Sequence, residues 1–108
     1  MLGPPTSKSS ITTKDKVMRI KTHPGEVLKE EFLKPLDMSA RQAAAAIDVP
    51  ANRITEIIRG RRDITADTAI RLGRYFDTSA TFWINLQAAH DLSKAEAETD
   101  YSAIKRRA

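Results

Sequence analysis

The chain has 108 residues, 41% of them hydrophobic, which supports a single domain with a modest core. It has no cysteine, so disulfides, thiolate metal sites and a cysteine nucleophile are excluded, which is compatible with a reducing cytoplasm. No apolar run approaches the roughly 18 residues that a membrane span needs, and the formal charge of +4 fits a polyanionic partner if the arginines are suitably placed.

Residues 1–17 read as a disordered tail. Gly3, Pro4 and Pro5 precede a run rich in serine, threonine and lysine, which buries too little surface to offset its ordering entropy. Met1 to Pro5 lacks the basic and apolar regions of a signal peptide. The folded domain is expected over residues 18–98, with a flexible basic end at 99–108.

A first helix is predicted to open at Pro24, whose missing N–H costs nothing there. Val27, Leu28 and Phe32 form its apolar stripe, and Pro35 ends it. Ser39 is the expected N-cap of a second helix, Ala40 to Ile47, with Gln42 at the reciprocal capping position. A third helix runs from Ala51 to Arg59 and stops at Gly60. Thr65 caps a fourth helix reaching about Phe76, with Ala69, Leu72, Gly73 and Phe76 on its buried face. Ser79 caps a fifth, extending to about Ala97, with Phe82, Trp83 and Leu86 on its apolar side. The fold class is all-α, a five-helix domain.

The second and third helices are short and joined by Asp48, Val49 and Pro50, the layout of a helix-turn-helix over about residues 39–60. Close crossing needs a small inner residue, which Ala44 supplies. Ile54 and Ile57 are spaced to clamp the third helix inward. Asp48 falls where such turns commonly place glycine, and aspartate tolerates the left-handed region better than most residues.

With those isoleucines inward, the third helix turns Ala51, Asn52, Arg53, Thr55, Glu56 and Arg59 outward. Arg53 suits guanine O6 and N7, and Asn52 suits adenine N6 and N7. Thr55 offers a hydroxyl and a methyl. Glu56 is suited to accept from cytosine, or to orient Arg53 or Arg59. Arg59, Arg61 and Arg62 cluster where phosphates would lie. Ser39, Arg41 and Gln42 stand at the start of the second helix, whose N-terminal amides favour another phosphate. A surface helix rich in arginine can also be merely solvated. The conjunction of short helices, tight turn, isoleucine pair and arginine loop favours double-stranded DNA as the partner.

His23 reads as a helix cap or turn residue, and His90 as a surface or interface residue. Two distant histidines without cysteine form no metal motif, and no cofactor is implied. No nucleophile–base pattern, phosphate loop or paired-carboxylate signature is present, so an enzyme is not expected.

Three stretches occur in order: His23 through Phe32 with Pro24, Gly25 and Glu26 at its head, Arg59 through Ala69, and Phe82 through Gln87. On these, the region from His23 to about Glu98 resembles the HigA family of antitoxins, within the lambda-repressor-like helix-turn-helix group. Asp48 and the long segment before Met18 depart from the family pattern. The resemblance implies a cytoplasmic homodimer on a palindromic operator of its own operon. It also implies a partner, a HigB-like toxin of the RelE type that cleaves mRNA on the ribosome. Half-site spacing of about 34 Å is the geometric reason such proteins pair. Phe82, Trp83 and Leu86 are candidates for the dimer seam, against the alternative that they close the protomer core. Phe82 is assigned to the core, and Trp83 is left between the two. Two other functions compete: a stand-alone transcriptional regulator without a toxin, and a protein-interaction module that has lost DNA binding.

Overall fold

Proline starts the first helix. In the computed structural model, which describes residues 19–107, α1 spans Pro24–Val27 and passes directly into a π-helical segment, Leu28–Leu33. His23 caps it, its Nδ1 accepting from the Gly25 amide at 2.9 Å. The π-helical continuation departs from the regular helix expected. The Lys34 amide donates to Lys29 O at 3.0 Å, one residue further back than an α-helix allows. Pro35 supplies the reason, since it has no N–H and its ring would strike the Glu31 carbonyl in a regular turn.

The remaining helices are α2, Ala40–Ala46; α3, Ala51–Ile58; α4, Ala66–Phe76; and α5, Ala80–Glu98. Their starts are the expected caps. Thr65 Oγ1 accepts from Thr68 N at 3.4 Å, and Ser79 Oγ accepts from Phe82 N at 3.0 Å. The tail expected over 1–17 lies outside the described residues.

The described residues form two compact units, Thr22–His90 and residues 19–21 with 91–107. In the first, Leu28, Ala44, Ile54, Ile57, Leu72 and Trp83 are among the residues enclosed in the core. Each large aliphatic there contributes about 1.5–3 kcal/mol of burial. The expected face of α4 holds: Ala69, Leu72 and Gly73 are buried, Phe76 packs against the core, and Thr68 joins them. In the second unit, the Lys21 amide donates to Ser93 Oγ at 2.7 Å. Beyond Glu98 the chain makes local turns. Asp100 Oδ1 accepts from Ser102 N at 2.9 Å, a bond that holds the Asp100 carboxyl below the usual range. No helix among the described residues is long and apolar enough to cross a membrane.

Trp83 falls on the core side of the two alternatives open to it. It is 0% exposed, its Nε1 donates to Thr78 Oγ1 at 2.8 Å, and its ring lies 5.1 Å from that of Phe32. An indole buries completely when its N–H has a partner at hand, so Trp83 belongs to the protomer core and offers no surface to a dimer seam. Phe82, assigned to the core from sequence, is 38% exposed, while Leu86 packs partly against the core. His90 is half-buried, with its ring edge-on to that of His23 at 4.9 Å.

Candidate nucleic-acid interface

The two-helix unit is built from local hydrogen bonds at its ends. Ser39 Oγ accepts from Gln42 N at 3.0 Å, and Gln42 Oε1 accepts from Ser39 N at 2.8 Å, the reciprocal capping read from the sequence. At the far end of α2, Asp48 N donates to Ala45 O at 3.2 Å and Val49 N donates to Ala44 O at 3.0 Å. That pair of bonds is a Schellman termination, with Asp48 at φ 60° in the left-handed position. Gly60, at φ 73°, ends α3 the same way, through Gly60 N to Ile57 O and Arg61 N to Glu56 O, both 2.9 Å. Pro50 sits at the N-cap of α3, and its carbonyl accepts from Arg53 N at 3.0 Å.

Packing sets the direction of α3. Ile54 and Ile57 are fully buried, and Ala43 and Ala44 present a small-residue face on α2 that is also buried. Only short side chains allow two helix backbones to approach across such a tight turn. The opposite side of the unit is polar. Ala51, Asn52 and Arg59 on α3 are exposed, as are Arg61 and Arg62 beyond it and Ser39, Arg41 and Gln42 at the start of α2. Arg53, Thr55 and Glu56 are half-buried.

Two of these side chains differ from expectation. The Thr55 hydroxyl donates to Ala51 O at 3.2 Å, back along its own helix, which leaves its methyl and oxygen lone pairs for a ligand. Arg53 is oriented by Asp67 on α4 rather than by Glu56, with Nη1 to Oδ2 at 3.2 Å. Asp67 stands in the first turn of α4.

Three further residues, not among the candidate site residues read from the sequence, shape the site. Arg71 Nη1 donates to Ile47 O at 2.9 Å and Asp48 O at 3.2 Å, fastening the turn from α4. Gln87 is buried and its Oε1 accepts from Ile64 N at 2.7 Å, tying down the loop that carries Arg61 and Arg62. Gly25 lets the α1 backbone lie directly against Ile57 and Ile58. A glutamine on an apolar stripe and a glycine inside a first helical turn were the available signals.

Known proteins share this arrangement. Residues 29–83, half of the chain, match the helix-turn-helix family model. Virulence-associated protein I of Dichelobacter nodosus is 54% identical over 76 residues, 70% of each chain. Antitoxin HigA of Pseudomonas aeruginosa, solved with the higBA promoter, is 53% identical with a TM-score of 0.69, covering 70% of this chain and 83% of that one. The chain belongs to the helix-turn-helix family of the HigA antitoxins. A HigA-family addiction-module antidote protein of Coxiella burnetii is 48% identical at a TM-score of 0.68, covering 71% of this chain and 84% of that one. The HigA family is one of DNA-binding proteins and not of enzymes. Asp48, at φ 60°, keeps the left-handed backbone that glycine would adopt.

Proposed function

We propose that this HigA-family protein is an antitoxin that represses its own operon and neutralises a HigB/RelE-like mRNA endonuclease. The observation that carries the DNA-binding half is the anchoring of α3. Two fully buried isoleucines fix it to the domain, while Asn52, Thr55, Glu56 and Arg59 lie away from them and Arg53 flanks Ile57, half-buried. The promoter-bound structure of the Pseudomonas aeruginosa relative supports that reading.

On this reading Ala51, Asn52, Arg53, Thr55 and Glu56 meet base edges in the major groove. Arg59, Arg61 and Arg62 on one side, and Ser39, Arg41 and Gln42 on the other, hold phosphates and set the register. The protein acts as a homodimer, placing two α3 helices about 34 Å apart on a palindrome. Phe82 and Leu86 on α5 carry the seam. The folded domain is residues 18–98, with 99–108 as a basic end.

The test combines a footprint on the promoter of its own operon with co-purification against the product of the neighbouring small gene. A two-fold symmetric footprint together with a stoichiometric endonuclease supports the antitoxin. The footprint without a protein partner establishes a stand-alone regulator instead. A protein partner without any footprint leaves an interaction module, and DNA binding is then abandoned.

A further inference from the structure

Asp67 on α4 holds two arginines through a single oxygen, one on α3 and one on its own helix. Its Oδ2 accepts from Arg53 Nη1 at 3.2 Å and from Arg71 Nε at 3.0 Å. Arg71 in turn donates from Nη1 to the Ile47 and Asp48 carbonyls in the turn. The recognition helix, the turn and α4 are therefore linked by one chain of charged hydrogen bonds. The carboxylate is more than half exposed, and Arg53 retains 29% of its side-chain surface. Exposed ion pairs add little to folding stability, so the effect of this pairing falls on geometry.

Two consequences bear on recognition. An unpaired arginine at position 53 would sample many rotamers and lose that freedom on meeting a base, whereas a paired one has already lost it. The bond to Asp67 uses Nη1 and leaves the other guanidinium donors for the ligand. The Asp67 carboxylate also repels phosphate, which penalises loose binding to any sequence. The first effect raises the difference between the right and the wrong DNA, while the repulsion lowers affinity for both.

We propose that Asp67 is a specificity-determining positioning residue, which holds Arg53 ready for its base. The proposal rests on Arg53 being a base-reading residue. The test is a double-mutant cycle read by fluorescence anisotropy, with a duplex of its own promoter and a random duplex of equal length. Asp67→Asn is expected to lower the ratio of promoter to random affinity about fivefold to tenfold, a pairwise coupling between close charged partners. In an Arg53→Ala background the same substitution is expected to change that ratio less than twofold. Asp67→Ser is run beside it with the same expectation, and thermal midpoints of all variants are recorded to verify folding. An unchanged ratio for both Asp67 variants, with a lowered one for Arg53→Ala, overturns the role of Asp67 alone. So does an equal loss in both backgrounds, which marks a structural effect. If Arg53→Ala itself leaves the ratio unchanged, base reading by Arg53 falls, and the proposal with it.

Discussion

A β-carbon placed on Gly25 would overlap the carbonyl oxygen of Ile57. It would also stand 2.6 Å from the Ile57 carbonyl carbon and 2.9 Å from Ile58 Cα. The first turn of α1 therefore lies backbone to backbone on the last turn of α3. That contact braces the recognition helix from behind, opposite the face that carries Asn52 and Arg59.

Gly25→Ala is expected to destabilise the domain by about 3 kcal/mol, since the obstacle is backbone and cannot rotate away. For a domain of this size the thermal midpoint should fall by more than about 10 °C, measured by circular dichroism. A shift of under about 2 °C would mean that α1 slides off α3 without cost.

Asp48 occupies the left-handed region at φ 60°, where a β-carbon is strained. Asp48→Gly should stabilise by about 0.5–1 kcal/mol, the relieved strain being partly offset by the greater freedom of the unfolded chain. Asp48→Ala should instead destabilise by about 1 kcal/mol. Urea denaturation of the three proteins checks both signs.

The buried Gln87 is the acceptor for the Ile64 amide. Gln87→Leu fits apolar surroundings but orphans that N–H, at a cost of about 1–3 kcal/mol. Hydrogen exchange at Ile64 should accelerate by about one to two orders of magnitude, and an unchanged rate would show that another acceptor takes over.

Trp83 and Phe82 should separate cleanly. Trp83→Ala removes a core side chain and its bond to Thr78, costing about 3–5 kcal/mol by a mechanism internal to the protomer. Phe82→Lys should leave the protomer fold intact and weaken self-association, read by sedimentation. If Phe82→Lys instead unfolds the protein and sedimentation of the folded fraction is unchanged, the proposed seam lies elsewhere.

Arg61 and Arg62 are exposed beyond Gly60, and on the proposed reading they meet phosphates, which carry no sequence preference. Arg61→Ala should weaken promoter and random duplexes equally and reduce the slope of log affinity against log salt by about 1. A loss confined to the promoter duplex would reassign Arg61 to base reading.

The amino-acid sequence by itself determined where the helices begin and end. Ser39 with Gln42, Thr65, Ser79 and Gly60 act on amides and carbonyls within five positions of themselves, so their effects are written locally. The inward pair Ile54 and Ile57 follows from helical spacing alone. The tertiary structure decided what depends on partners brought from afar. Arg71 meets Ile47 across 24 positions, Gln87 meets Ile64 across 23, and Arg53 meets Asp67 across 14. The burial of Trp83 over Phe82 belongs to the same class, because neighbouring positions on one apolar stripe differ only in how deep the core reaches beneath them. Periodicity names the face of a helix, and only the packing of other elements against that face says which residue on it is enclosed.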